Sequence, residues 1–246
     1  MKMLQDILAA LPIDPIPVRK VVIGVHWIVV GSKYCGLGST LVGKGPHGHS
    51  PVRDVGSLHQ KSAQELAQWI LSDNLLEASI GIAALNSILD VDESRVKQIN
   101  AAEIIARESE NKNVAIVGHF PFIDRLKSIA KNCWIIEKKP VGDDFPEEAA
   151  QEFIPQADVL AITGTAFINH TMEELLSYRR PDTLTLILGP STPLCPVFFN
   201  YGISFLSGSR VIDEEAATIT IQQGATFPQV RGTQLMTMRK DGLLCK

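Results

Sequence analysis

The sequence has no long apolar run, no concentration of basic charge and no closely spaced cysteine pair, and each absence removes a class of function. The longest apolar stretch, VVIGVHWIVVG, is interrupted by His26 and falls well short of the roughly 20 residues that a bilayer-spanning helix needs. The first residues, MKMLQDILAALPIDP, carry Asp6 and Asp14 and hold no run suited to a secretory leader. A soluble, cytoplasmic protein is the expectation. Lysine and arginine total 23 against 27 acidic residues, a formal charge of −4. The basic residues are scattered, with only Arg125, Lys127 and Lys131 suggesting a basic helix face, so nucleic acid is not an expected partner. Cys35, Cys133, Cys195 and Cys245 lie far apart without a C-x-x-C, which argues against a disulfide framework or a closed structural zinc site.

Catalytic signatures are also missing. There is no G-x-S-x-G elbow and no H-E-x-x-H, so the usual hydrolase chemistries have no support. Gly38 to Lys44 match most of a phosphate loop, but Gly45 replaces the magnesium-binding hydroxyl and Pro46 follows where a helix should begin.

What is present is 45% apolar and 20% charged, ample for a folded core. An opening helix over residues 2–10 is followed by β-rich VVIGVHWIVV, and residues 20–42 suggest a hairpin turning at 31–33. Ser62 and Glu65 have capping-box spacing, and residues 75–89 are apolar nearly all round, as in a helix buried between layers. Asn100 with Glu103 starts another helix, and the composition places a domain boundary near residue 100, dividing 1–100 from 101–246.

Beyond it the rhythm changes. NVAIVG, CWIIEK, ADVLAITG, TLTLILG and ISFLSG are short apolar runs separated by helical segments, the pattern of a mainly parallel sheet covered on both faces in a Rossmann-like α/β domain. Thr171 and Glu174 suggest a further capping box.

Ligands of such sheets bind beyond the carboxyl ends of the strands. That rule selects Gly118, His119 and Phe120 after the first run, Glu137 after the second, Thr163, Gly164 and Thr165 after the third, Gly189, Pro190, Ser191 and Thr192 after the fourth, and Ser207 to Ser209 after the fifth. The first turn lacks G-x-G-x-x-G, which disfavours ordinary dinucleotide binding, although Glu137 lies where an acid commonly holds ribose hydroxyls. His119 and His170, beside strand and helix ends, are candidates for proton transfer or metal contact. Thr163, Thr165, Asn169, Ser191 and Thr192 offer short polar groups suited to an anion. His47 and His49, one residue apart in a glycine-rich loop, are candidate transition-metal ligands that Cys35 or His59 could supplement.

GTAFINHTMEELL (164–176), LGPSTPLCPVFFNYGI (188–203) and VGHFP (117–121) together resemble the bacterial and archaeal heavy-metal chelation family, domain of unknown function 364. GLGSTLV (36–42) and IGIAALNS (80–87) are similar to the companion domain that precedes it. The resemblance implies an enolase N-terminal-like α+β domain followed by the Rossmann-like domain, with a site at their junction. It implies that Lys33, Tyr34, Gly36, Ser39 and Asn86 face the strand-end loops.

Three functional expectations follow. The cleft handles a transition metal or a metal-binding small molecule, with His119, His170 and Glu137 as contacts. Alternatively it is an enzyme for a nucleotide-like or adenosyl ligand without protein-bound metal, or a non-catalytic carrier or sensor. A transition metal is the candidate cofactor, a small-molecule or metal ligand the expected partner, and self-association is left open.

Overall fold

The computed structural model describes residues 1–43 and 51–240. In α1 (Lys2–Ala9), Met3, Leu4, Ile7 and Leu8 are buried on one helical face. The β-rich segment that follows forms two strands rather than one, β1 (Lys20–Ile23) and β2 (Trp27–Gly31), because Gly24 turns the chain and donates its N–H to the Trp27 carbonyl. A side chain at Gly24 would collide with Ile221, so this turn also seats a helix from the far end of the chain. With β3 (Cys35–Ser39) these strands make a three-stranded antiparallel meander in the order β1-β2-β3.

Ser62 and Glu65 form the expected reciprocal cap of α2 (Ala63–Ala67). Asn74 then caps α3 (Leu75–Asn86), its side-chain oxygen accepting from the Leu76 N–H. As its all-round apolar sequence predicts, α3 is buried from Glu77 to Leu85.

The remaining elements are β4 (Val96–Lys97), α4 (Ala101–Ser109), β5 (Asn113–Val117), α5 (Ile123–Ile129), β6 (Asn132–Glu137), β7 (Phe145–Pro146), α6 (Ala150–Phe153), β8 (Val159–Thr163), α7 (Thr165–Ile168), α8 (Met172–Ser177), β9 (Leu184–Leu188), β10 (Phe205–Val211), α9 (Glu214–Gln222) and β11 (Thr233–Arg239). They build one sheet in the order β4-β11-β10-β9-β8-β5-β6-β7. It is parallel from β10 through β7, and β11 runs antiparallel to both neighbours. The expected capping box at Thr171 is absent. The Thr171 hydroxyl donates to Asn169 instead, and its backbone is already helical.

Both faces of the large sheet are covered. On one, Ile104 and Ile105 of α4 and Ile123 and Leu126 of α5 pack on Val114, Ile116 and Val159. On the other, Ile80, Ile82 and Leu85 of α3 join Leu160, Ile162, Ile187 and Phe167. The opposite side of α3 lies on β3, where Gly36 and Gly38 omit side chains that would strike its backbone. One core therefore runs from the small sheet through α3 to the large sheet. Outside the small sheet, Ala217 and Ile221 of α9 pack on Val29 and Leu37. Among the described residues, no helix is long and apolar enough to cross a membrane.

The candidate ligand cleft

The parallel strands follow the chain in the order β6-β5-β8-β9-β10, so successive connections diverge between β5 and β8. Loops leaving the two strands part there and open a crevice at their carboxyl ends. A cleft of about 700 Å³ lies at that position. Its floor is made by His119 and Phe120 after β5, Thr163, Gly164 and Thr165 after β8, Gly189, Pro190 and Ser191 after β9, and Ser207 with Gly208 in β10. Gly118 and Gly189 have φ of 110° and 116°, backbone that only glycine adopts without strain. They let the chain turn sharply off the strands.

The small sheet supplies a wall through Trp27 and Ser39, and the connection after α9 supplies Phe227 and Pro228. Trp27 and Phe227 meet with ring centroids 5.4 Å apart, and Phe120 stacks on Phe122 at 5.3 Å. Asn100, Ala101 and Ala102 border the cleft, so the first turn of α4 opens into it. Among the described residues, no lysine, arginine, aspartate or glutamate lines the cleft, and His119 is the single imidazole in its lining.

The loop Gly189 to Leu194 is held from several sides. Ser39 donates its backbone N–H to the Ser191 hydroxyl at 2.8 Å, and the two hydroxyls are also 2.8 Å apart. The Asn86 amide donates to the carbonyls of Leu37 and Ser191, and the Ser209 hydroxyl to that of Pro190. Ser191 is only 1% exposed. Thr163 and Thr165 hydroxyls face each other at 3.0 Å.

His119 sits at the rim with its Nδ1 3.1 Å from Asp144 Oδ2. The Asp144 side chain is 1% exposed and also accepts from the Val141 N–H at 3.2 Å.

Other residues expected at the site lie elsewhere. Glu137 accepts from the neighbouring Lys138 N–H and does not line the cleft. The ring of His170, a residue at φ 62°, is tied through Nε2 to the Ile70 carbonyl at 2.7 Å, on the α3 side of the fold. Asn169 accepts from Thr171. Lys33 and the Tyr34 hydroxyl both donate to Asp90, and together they hold its carboxyl below the usual range. Tyr34, Gly36, Asn86 and Thr192 border a separate cavity of about 210 Å³ on the other side of the Ser191 loop. Gly36 serves close packing: a Cβ there would be 2.1 Å from the Ala83 carbonyl oxygen.

His47 and His49 lie outside the described residues. Among those described, no three His, Cys, Asp or Glu side chains gather in a way that could hold a metal ion. Burial pushes the Cys35 thiol up to about 12 and the Cys133 thiol to about 11, and raises Cys195 as well. Sequence reasoning missed Trp27, Phe227, Met236 and Asp144. Only Asn100 had carried a signal, as a helix cap.

Residues 100–240 match the profile of domain of unknown function 364, described as "Putative heavy-metal chelation". The chain belongs to this family. Residues 5–89 match domain of unknown function 4213, which carries the same description. A family member of unknown function from Desulfitobacterium hafniense, solved by crystallography, is 26% identical and superposes with a TM-score of 0.85 over 97% of this chain and 98% of its own. A second, from Pyrococcus horikoshii, is 20% identical with a TM-score of 0.77 over the same shares, a likeness of fold. An uncharacterised protein of Methanocaldococcus jannaschii is 25% identical over 82% of this chain and 80% of its own. Both superposed members cover the two halves together.

Proposed function

We propose that the cleft binds a flat organic small molecule, and that any heavy-metal handling by this family member proceeds through a metal-binding molecule of that kind. The observation that carries this reading is the lining itself: among the described residues it consists of aromatic and proline walls, short hydroxyls and one imidazole, without a charged side chain. Such a surface recognises apolar planes through their faces and orients them by a few polar groups. A bare transition-metal ion needs three or four donors, and the described residues gather no such set.

An enzyme acting on an adenosyl ligand is the second reading, favoured by the position of the crevice between β5 and β8. Nucleotide phosphates fit less well, because among the described residues no lysine or arginine lines the cleft to meet them. Glu137 drops out as a ribose contact.

Residues 101–246 are read as a Rossmann-like unit, supported by the strand order, and residues 1–100 as an enolase N-terminal-like unit, supported by the meander followed by helices. The pairing of β4 with β11 then makes the end of the first unit part of the second sheet. A cytoplasmic location accords with free Cys35, Cys133 and Cys195.

Trp27 makes the reading testable, since Trp69 and Trp134 pack elsewhere, against Arg53 and Phe153. Adenosine, riboflavin and phenanthroline should be titrated while tryptophan emission and thermal stability are followed. At least one should change both, with a dissociation constant of about 1 mM or tighter. Ala102→Phe, which fills the cleft from α4, should abolish the response. No response from any compound, or equal responses in the filled variant, would sink the proposal.

A further inference from the structure

We propose that His119 and Asp144 form a proton-accepting pair at the rim of the cleft, in which His119 Nε2 takes the proton of an acidic O–H or N–H carried on the edge of a flat aromatic ligand. This rests on reading the cleft as an organic-ligand site.

The geometry of the pair sets the direction of proton flow. His119 Nδ1 lies 3.1 Å from Asp144 Oδ2, and the Val141 N–H donates to the same oxygen at 3.2 Å. An ionised carboxylate only accepts, so the ring proton belongs on Nδ1 and Nε2 keeps its lone pair. Nε2 is therefore the atom that can accept from a ligand and take its proton.

Asp144 is buried far beyond what a surface tie requires: its side chain is 1% exposed, beside a histidine side chain 56% exposed. Its second oxygen, Oδ1, is also buried and has no hydrogen-bond partner. Burying a carboxylate is costly, and a positive charge formed beside it offsets that cost. Proton uptake at Nε2 makes such a charge, so Asp144 both fixes the tautomer of the neutral ring and stabilises the imidazolium. Beside the pair, Asp143 and Lys127 of α5 form an ion pair of their own at 2.8 Å, with Lys127 acting on Asp144 through space.

The cleft also suits the ligand that loses the proton. Phe120 follows His119 directly and stacks on Phe122 with ring centroids 5.3 Å apart, and both line the cleft. An aromatic ligand resting on that pair turns its edge, where its polar atoms lie, toward the neighbouring side chains. On the cleft floor the Thr163 and Thr165 hydroxyls are 3.0 Å apart. One proton is used between them, which leaves the other O–H to donate to the ligand atom that becomes negative. The step is a proton transfer alone. The ligand O–H or N–H bond breaks, its electron pair stays on the ligand, and the proton ends on Nε2 while Nδ1–H remains on Asp144.

The test compares para-nitrophenol, which ionises near neutral pH and shows its visible band as the phenolate, with para-nitroanisole, which has the same ring and no proton to give. Both should quench Trp27 emission. On the protein, the phenolate band should persist to a pH about one unit or more below its midpoint in free solution. His119→Gln should abolish that displacement and leave the affinity for para-nitroanisole unchanged. Asp144→Asn, which removes the charge behind the ring, should shrink the displacement while para-nitroanisole still binds; a merely structural role would weaken both compounds together.

Bound para-nitrophenol with an unmoved midpoint, or a displacement that survives His119→Gln, would overturn the proposal and leave the organic-ligand reading standing. If neither nitro compound binds, the proposal falls with its ligand class, and the titrations with adenosine, riboflavin and Ala102→Phe decide the broader reading.

Discussion

Replacing Gly36 by alanine tests the contact that seats α3 on the small sheet. A Cβ at this position would lie 2.1 Å from the Ala83 oxygen, 2.4 Å from the Ser87 nitrogen and 2.7 Å from the Asn86 carbonyl carbon. Carbon contacts normally relax to roughly 3.5–4.0 Å, so α3 would have to retreat by more than an ångström. It has no room, because on another side Gly81 brings it against the backbone of Ile70, where a Cβ would be 2.2 Å from the amide nitrogen.

Overpacking that side chains can absorb costs about 1–3 kcal/mol. Here the obstacles are backbone atoms, so Gly36→Ala should cost about 3 kcal/mol or more, beyond the usual range. For a chain of this size that is a fall in Tm of roughly 6–12 °C. Urea unfolding should show a lower midpoint at an unchanged slope. Gly43→Ala, with nothing within 4 Å of the new Cβ, should stay within about 0.5 kcal/mol of the parent. If Gly36→Ala unfolds within about 1 kcal/mol of the parent, below the overpacking range, β3 and α3 do not meet as described.

Other consequences concern charge, thiols and the displaced candidate histidine. Burial opposes ionisation of Glu77, but Arg53, Ser72 and the Arg53 backbone N–H outweigh it and hold the carboxyl below its ordinary range. The unfolded chain then binds the proton more readily, so this contribution is complete above the ordinary glutamate range and is lost as pH falls through the lower, folded value. Unfolding midpoints of Glu77→Gln should be lower than those of the parent at neutral pH and should converge with them in acid; a constant gap would refute the assignment. Cys35, Cys133 and Cys195, buried or half-buried with raised pKa values, should resist thiol reagents in the native protein and react after unfolding in guanidinium, and prompt native labelling of Cys35 would contradict its burial. His170→Asn, which keeps a residue tolerant of positive φ but removes the ring bond to Ile70, should cost about 1 kcal/mol of stability. It should leave ligand titrations unchanged, whereas a loss of binding would return His170 to the site.

The sequence by itself determined the local pieces. The apolar runs at 113–117, 159–163 and 184–188 are strands, Ser62 and Glu65 form their cap, and the all-apolar segment from residue 75 is a buried helix. These features were legible because periodicity and capping depend on neighbours within a few positions. The strand-end rule also selected His119, Thr163, Gly164, Thr165, Gly189, Pro190 and Ser191, all of which line the cleft, since it needs only strand direction.

Only the tertiary structure decided which of the other candidates belong there. Ser39 reaches Ser191 across 152 residues and Asp144 reaches His119 across 25. Trp27 meets Phe227 from the opposite end of the chain, while His170 turns toward Ile70. Such meetings are set by strand order and by the close seating of α3 on Gly36 and Gly38. They are long-range consequences of packing that no local pattern encodes. A histidine, a tryptophan and an aspartate spread along the chain become one cleft wall and its support only when the sheets are in place.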